Sequence, residues 1–275
     1  MDITKILSSI KTKVAENSTE VNIRLAFSCM DLTSLNSTDT VTDIKLFTEK
    51  VNDFYQKFPG ISNVAAICIY PNMVETVRKI LTHKDVNIAA VAGGFPSSMT
   101  FLNVKIQEIL MAVENGADEI DIVMPLWAFF DHNEVVCRKE ISDIKNSIGL
   151  VPLKVILETG ALKTSENISK ASMLAMESGA DFIKTSTGKV SPAATPEAAI
   201  VMCRSIKNHY SKTGRKVGFK AAGGISTTED AMLYITIVHE ILGDEWMTPK
   251  LFRIGASRLG NDLLSSILKK EVVYF

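Results

Sequence analysis

The sequence has few of the features that mark secreted, membrane or nucleic-acid-binding proteins. Its four cysteines, Cys29, Cys68, Cys137 and Cys203, form no C-x-x-C pair, which predicts reduced thiols in a cytoplasmic protein instead of a disulfide framework. The formal net charge is −1, and basic residues are interspersed with acids, so no nucleic-acid or membrane surface is expected. No apolar run is long enough to span a bilayer.

Motifs for common cofactors and metals are also missing. The first predicted strand is not followed by G-x-G-x-x-G, and the stretch STGKV has Ile183 and Val190 where a P-loop needs glycine and Ser or Thr. The histidines fall in predicted helices or in loops beside them, so we expect no metal site; they are His83, His132, His209 and His239.

Predicted strands and helices alternate along the whole chain. After a short amphipathic N-terminal helix, eight apolar strands are predicted at 23–31, 64–70, 86–96, 117–125, 151–160, 181–188, 216–224 and 251–257. No hairpin signature joins them, which indicates parallel βαβ units. Eight units favour a closed (β/α)8 TIM barrel with a short extra N-terminal helix over an open doubly wound sheet. The length suits one domain spanning residues 1–275.

Two lysines stand at the ends of apolar strands. Lys184 follows Phe182 and Ile183 directly, and Lys220 follows an apolar stretch and precedes two glycines. A single lysine of this kind usually extends to the surface. A buried ammonium, in contrast, needs a carboxylate partner, or burial lowers its pKa until the neutral amine can attack a carbonyl. The second alternative is a catalyst.

An acid and three lysines recur one βα unit apart. Asp121, Lys154, Lys184 and Lys220 lie on predicted strands four to seven. If strand alternation turns them inward, they meet at the top of the barrel, where barrel enzymes have their active sites. Neighbouring ammonium groups favour a neutral amine on one lysine, and Asp121 can hold a charged partner and transfer protons.

Small residues follow predicted strands seven and eight. Gly223 and Gly224 lie in AAGGIS, and Gly255 and Ser257 lie in GASR. Barrel enzymes often bind phosphate with these two loops, because small residues let backbone amides approach an anion. Alternatively, each glycine only turns the chain.

With these residues assembled, the chain resembles the deoxyribose-phosphate aldolase family, which are class I (Schiff-base) aldolases of barrel fold. The likeness covers nearly the whole chain, and its segments are MDLTSLN, AAICIYP, GADEIDIV, LKVILETG, ADFIKTSTGK, VGFKAAGGI and FRIGAS. The string DFIKTSTGK is highly specific to the family.

The resemblance implies a role for each matching position. Lys184 would be the Schiff-base nucleophile, Lys220 the ammonium that lowers its pKa, and Asp121 the proton donor and acceptor. Asp31 and Lys154 would be supporting polar residues, and Cys68 would line the site. The substrate phosphate would be held by Gly188, Lys189, Gly223, Gly224, Gly255 and Ser257.

The reaction implied is the reversible cleavage of 2-deoxy-D-ribose 5-phosphate to D-glyceraldehyde 3-phosphate and acetaldehyde, without a metal or organic cofactor. Its partners would be small phosphosugars and aldehydes, and a homodimer is the assembly that the resemblance suggests. The alternatives are a Schiff-base aldolase for another phosphosugar and a non-catalytic phosphosugar-binding barrel.

The sequence departs from the family's pattern at three positions. Ala221 stands where proline is frequent and Ser226 where a basic residue is frequent, so the phosphate contacts are expected to differ, with Arg258 as a substitute. Many members of the family end in a tyrosine that reaches the active site, whereas Tyr274 is the penultimate residue here.

Overall fold

The computed structural model describes residues 2–275, and within them eight parallel strands close into a barrel in chain order. The strands are β1 (Met30–Thr33), β2 (Ala66–Ile69), β3 (Asn87–Ala92), β4 (Glu119–Val123), β5 (Leu153–Ile156), β6 (Phe182–Lys184), β7 (Gly218–Ala222) and β8 (Phe252–Ala256). Because β8 pairs in parallel with β1, the sheet has no free edge. The predicted (β/α)8 TIM barrel is confirmed.

Helices surround the barrel. They are α1 (Ile3–Asn17), α2 (Glu20–Ser28), α3 (Val41–Lys57), α4 (Val74–Ile80), α5 (Leu102–Glu114), α6 (Leu126–Phe130), α7 (Glu134–Ile148), α8 (Thr159–Leu162), α9 (Ser165–Glu177), α10 (Pro196–Thr213), α11 (Thr228–Leu242) and α12 (Leu259–Leu268). Over residues 2–275 there is no helix with the length and apolarity that crossing a membrane requires.

Side-chain caps explain where the helices begin. The Thr227 side chain accepts a hydrogen bond from the Asp230 amide, and the Asp230 carboxylate accepts from the Thr227 amide, which forms a capping box at the start of α11. The Thr195 side chain caps α10, whose first residue is Pro196. Helix α11 spans the range that the apolar spacing predicts.

The first predicted strand begins too early. Residues 20–28 form α2, and β1 starts only at Met30. The reason is the Thr19 side chain, which accepts a hydrogen bond from the Asn22 amide and starts a helix. The apolar residues Ala26 and Phe27 are then buried as one face of that helix, so the run from Ile23 has the hydrophobicity of a strand without being one.

The interior of the barrel has two chemically different parts. Around β2 and β3 it is apolar, with Cys68, Ala89 and Val91 packed together and Tyr70 and Phe95 at the border. Strand β1 and the strands from β4 to β8 instead direct buried acids and bases inward. The charged part contains the acid and the lysines that the strand spacing singles out.

The segment after α12 folds back over the outside of the barrel. Tyr274 Oη donates to the Lys50 carbonyl on α3 at 2.6 Å, and its ring packs edge-on against Phe58. The Asn261 side chain accepts hydrogen bonds from the Tyr274 and Phe275 amides at 2.9 Å. Tyr274 therefore lies against α3 and not at the mouth of the barrel.

Buried His209 on α10 makes stability sensitive to acid. Within residues 2–275, neither ring nitrogen has a hydrogen-bond partner. Burial, together with the Arg215 charge, lowers the pKa of the imidazole below its usual 6.5. The folded state therefore binds fewer protons than the unfolded state below pH 6.5 or so, and stability is lost as the pH falls through that region.

We expect His209→Leu to raise the free energy of unfolding by about 1–2 kcal/mol at pH 8 and to flatten its decline in mild acid, since the orphaned nitrogens are removed. Urea unfolding from pH 8 to pH 5 measures both effects. His132→Asn, at an exposed position, serves as the control. A decline as steep in His209→Leu as in the native chain would contradict the prediction.

Candidate active site

The site is centred on the carboxylate of Asp121 in β4. Asp121 pairs in register with Lys154 of β5, and Lys184 of β6 pairs with Lys220 of β7. Asp121 Oδ1 accepts from Lys154 Nζ at 2.9 Å, while Oδ2 accepts from Lys184 Nζ and Lys220 Nζ, each at 2.8 Å. All four side chains are buried. The structure therefore brings together the acid and three lysines that the strand spacing predicts.

Three further charged groups complete this buried cluster. Asp31 of β1 accepts from Lys220 and, at 2.5 Å, from the Arg253 guanidinium on β8. Glu119, two residues before Asp121, accepts from Arg253 at 2.6 Å and 3.0 Å and lies 2.6 Å from Lys154 Nζ. Every charged side chain in the cluster thus has an oppositely charged neighbour, as buried charges require.

A cleft of about 280 Å³ opens above the cluster at the carboxyl ends of the strands. Of the three clustered lysines, Lys184 alone lines it. The remaining lining residues come from the carboxyl ends of β1, β7 and β8 and from the loops after β1, β6, β7 and β8: Thr33, Leu35, Asn36, Thr187, Gly188, Lys189, Ala222, Gly223, Gly224, Ile225, Gly255, Ala256 and Ser257. Of the clustered lysines, Lys184 is therefore the one that a molecule in the cleft meets.

The loops after β6 and β7 lie close together. Gly223 has φ +88° and Gly188 has φ +77°, a backbone region that favours glycine. A Cβ on Gly223 would lie 3.1 Å from the Gly188 Cα and 2.6 Å from the Ala193 Cβ. The two loops can approach this closely only because glycine occupies the contact.

Comparison with known proteins assigns the family. A sequence model described as DeoC/LacD family aldolase matches residues 25–243. This chain belongs to the DeoC/LacD aldolase family. It is an enzyme of the carbon–carbon lyase class. The deoxyribose-phosphate aldolases of Bos taurus and Homo sapiens are each 42% identical to it over 254 residues, which cover 86% of this chain and 78% of each relative.

Solved structures agree with this family assignment. The aldolase QR15 is 29% identical with a TM-score of 0.73, covering 89% of this chain and 96% of that one. A deoxyribose phosphate aldolase from Aeropyrum pernix, described as a unique tetramer, shares the fold at 23% identity and a TM-score of 0.73, covering 93% of this chain and 97% of that one. For this DeoC/LacD family aldolase, the homodimer remains a prediction.

The electrostatics of the cluster distinguish its lysines. Burial lowers the pKa of Lys184, the Lys220 charge lowers it further, and the attraction of Asp121 offsets only part of this. Burial also acts on Lys220, but there the Asp121 and Asp31 carboxylates outweigh it and raise the pKa of the amine. The pKa of Lys154 is likewise raised by its carboxylate neighbours, in spite of burial. Of the three clustered lysines, Lys184 is thus the one that loses its proton most easily.

The carboxylates in the cluster stay ionised. Burial favours their protonation, but the adjacent lysines and Arg253 outweigh it, so the pKa values of Asp31, Glu119 and Asp121 lie below their ordinary range. Burial raises the pKa of the Cys68 thiol, so that it is uncharged at neutral pH. Asp121 is therefore ionised and able to accept a proton.

The predicted binding residues divide into two groups. The glycines predicted to bind phosphate, with Lys189 and Ser257, all line the cleft; the glycines are Gly188, Gly223, Gly224 and Gly255. Asp31, Lys154 and Cys68 are buried inside the barrel and do not line the cleft of the described chain. Arg258 is exposed at the start of α12 and does not line it either. The expected substitution of Arg258 for a basic residue at position 226 therefore has no support in the contacts.

Two charged residues of the cluster were not predicted as functional, although the sequence contained a signal for each. Glu119 shares the inward face of β4 with Asp121, by simple alternation. Arg253 similarly precedes Gly255 by two residues on β8. Alternation along each strand therefore indicates that both residues face the interior of the barrel with the cluster.

Glu158, after β5, supports the loop that follows β6. Its carboxylate accepts from the Thr187 amide at 3.2 Å and from Thr187 Oγ1 at 2.6 Å. Its own backbone is left-handed, with φ 53°, which is unfavourable for a residue with a side chain. This buried contact fixes the loop that carries Gly188 and Lys189, and no sequence pattern pointed to it.

Proposed function

We propose that this enzyme reversibly cleaves 2-deoxy-D-ribose 5-phosphate to D-glyceraldehyde 3-phosphate and acetaldehyde through a Schiff base on Lys184. The observation that carries the proposal is the position of Lys184. Its amine has a lowered pKa, touches the Asp121 carboxylate at 2.8 Å, and faces a cleft whose walls are glycine loops. A neutral amine is the form that attacks a carbonyl.

The proposed chemistry uses the groups around Lys184. The neutral amine adds to the C1 aldehyde, and loss of water gives an iminium that accepts electrons from the breaking C2–C3 bond. The C3 hydroxyl proton passes to Asp121, directly or through water, and glyceraldehyde 3-phosphate leaves. The enamine that remains is protonated at C2, and hydrolysis of the new iminium releases acetaldehyde and the free Lys184 amine.

The glycine loops that line the cleft support a phosphate site there. Backbone amides at Gly188, Gly223 and Gly224 can approach an anion without side-chain obstruction. Lys189 lines the same cleft, and its Nζ donates to the Leu35 carbonyl, so an ammonium is available there.

We expect Gly223→Ala to raise KM for the phosphosugar about 10- to 100-fold while changing kcat less than about threefold, because an added Cβ separates the two loops. Steady-state kinetics on 2-deoxy-D-ribose 5-phosphate measure this. Gly60→Ala is the matched control: Gly60 has φ +82°, and its Cβ would have no neighbour within 4 Å. It has the same backbone strain, about 1–2 kcal/mol, and should leave KM unchanged. An equal KM in both variants would place the phosphate elsewhere.

Chemical trapping tests the Schiff base itself. Borohydride reduces an iminium to a stable amine, so incubation with acetaldehyde and borohydride should leave an ethyl adduct on Lys184, located by peptide mass spectrometry. Product analysis with 2-deoxy-D-ribose 5-phosphate should in parallel show both aldehydes. Adducts spread over surface lysines would support the non-catalytic phosphosugar-binding alternative. A Lys184 adduct without cleavage of this sugar would indicate an aldolase for another phosphosugar.

A further inference from the structure

The charged cluster has a simple connectivity. Starting from Asp31, contacts run to Lys220, Asp121, Lys154, Glu119, Arg253 and back to Asp31. Three carboxylates and three cations thus alternate around a closed ring. Each ring cation touches the carboxylates on either side of it, and Lys154 Nζ also lies 3.6 Å from Asp31 across the ring. We call these six residues the charge ring.

Lys184 lies outside the charge ring. It contacts one carboxylate, Asp121, and shares the Oδ2 atom of that group with Lys220. The ring is electrically neutral when all six of its members are ionised, so a charged Lys184 would leave one uncompensated positive charge among buried groups. Since an uncompensated buried charge is strongly unfavourable, Lys184 is the group that gives up its proton.

We propose that Glu119 and Arg253 are positioning residues that close the charge ring and thereby confine the one uncharged amine of the cluster to Lys184. This inference rests on the proposed Schiff-base function and adds to it the reason why Lys184, and not Lys154 or Lys220, is nucleophilic. Neither Glu119 nor Arg253 lines the cleft in the described chain.

The contacts of Glu119 explain how it acts. It lies 2.6 Å from Lys154 Nζ, closer than Asp121 does at 2.9 Å, and it also accepts from the Asn87 side chain at 2.7 Å. Glu119 therefore stabilises the ammonium form of Lys154, whose charge does not depend on Asp121 alone. Without Glu119, Lys154 and Lys184 would compete for the Asp121 carboxylate.

Arg253 completes the charge balance from the opposite wall. Its guanidinium reaches Glu119 and Asp31, and its Nε donates to the Pro249 carbonyl, which fixes the side chain. An arginine suits this place because it does not lose its proton and presents several donors in one plane. Arg253 therefore stays charged and cannot become the uncharged member of the cluster.

The neighbouring groups on β2 and β3 do not change this balance of charges. Beyond the six ring members, β2 contributes Cys68, whose thiol is uncharged because burial raises its pKa. The β3 residues Ala89 and Val91 are apolar, and Asn87 is neutral. Burial and the charge ring therefore together set the protonation state of Lys184.

Two substitutions test the idea because they change the charge of the ring in opposite directions. Arg253→Met leaves two ring cations and three carboxylates, so a charged Lys184 becomes the compensating cation. Glu119→Gln leaves three cations and two carboxylates, so a charged Lys184 becomes still less favourable. Each remaining charge keeps a partner in both variants: Glu119 keeps Lys154, Asp31 keeps Lys220, and Arg253 keeps Asp31.

The measurement is the pH dependence of reductive trapping. Initial rates of ethyl addition at Lys184 from acetaldehyde and cyanoborohydride would be followed by peptide mass spectrometry from pH 5 to pH 10. We expect the acid limb of the profile to move upward by about one pH unit in Arg253→Met and downward by about one unit in Glu119→Gln. The double variant, which restores the charge count, should return to within about half a unit of the native chain.

Matched controls carry the same substitutions at an exposed ion pair. Glu20→Gln and Arg24→Met change the net charge identically on the surface of α2 and should leave the acid limb in place. Shifts of both ring variants in one direction, or no shift in either while Lys184 is still trapped, would overturn the proposal. If either single variant fails to fold, the double variant provides the test. An acid limb more than one pH unit away from that of the native chain would then overturn the proposal. Absence of a Lys184 adduct in the native chain would instead refute the Schiff-base function.

Discussion

Replacing Lys184 with methionine is expected to lower kcat/KM for aldol cleavage by more than about 10⁴-fold, because no other amine of the cluster lines the cleft. Methionine has a similar length and no charge. Asp121 would keep Lys154 and Lys220 as partners at 2.9 and 2.8 Å, so every buried charge would remain paired. We expect the variant to fold with unchanged or higher stability, and thermal unfolding would verify this.

A second lysine variant serves as the contrast. Lys220→Met removes a cation that lies in the same cluster, so Lys184 would keep its proton to higher pH. Asp31 would keep Arg253, and Asp121 would keep Lys154. Trapping with acetaldehyde should therefore still label Lys184 in Lys220→Met, at higher pH, but leave no site-specific label in Lys184→Met. A normal rate of cleavage in Lys184→Met would show that the nucleophile is another residue.

The sequence was sufficient to predict the barrel because each of its eight strands has a local signal. Apolar runs of the right length alternate with helical spacing, and the closure of the sheet follows once eight parallel units are counted. The main error concerned residues 20–28, where apolarity alone does not separate a buried strand from a short helix packed on the core. The decisive feature was the Thr19 cap, a single hydrogen bond.

The acid and the three lysines were predictable because adjacent strands carry them. Asp121 and Lys154 pair across β4 and β5, and Lys184 and Lys220 pair across β6 and β7, so spacing by one βα unit already implies contact. Arg253 and Glu119 lie on β8 and β4, which are not neighbours in the sheet. Their contact depends on the tilt of the strands in the closed barrel, which alternation along one strand does not determine.

Glu158 shows a different limit. Its carboxylate is buried against Thr187, and its backbone is left-handed at a residue other than glycine. Sequence patterns predict left-handed backbone at glycine and asparagine, so a glutamate in that conformation has no local signature. Such a position is recognisable only when the loop it supports is seen beside it.

Asp121→Asn is expected to separate the two halves of the reaction. Lys184 would lose its one carboxylate partner, and the removal of that negative charge disfavours the ammonium form further. Formation of the Schiff base should therefore persist, and acetaldehyde with borohydride should still label Lys184. Turnover of 2-deoxy-D-ribose 5-phosphate, in contrast, should fall by about 10²- to 10⁴-fold, the range for removal of a general acid–base group.

The control for this variant is Asp118→Asn. Asp118 lies just before β4, and its carboxylate pairs with Arg78 at 2.5 Å. It should lose a little stability and keep its turnover within about twofold, since half-exposed ion pairs contribute about 1 kcal/mol or less. Turnover of Asp121→Asn within tenfold of the native rate would mean that water or another group moves the C3 hydroxyl proton. Loss of the Lys184 label together with turnover would mean that Asp121 positions the amine. If Asp121→Asn keeps the Lys184 label and loses turnover, Asp121 carries the C3 hydroxyl proton. In that case Lys184 also stays neutral without the Asp121 carboxylate.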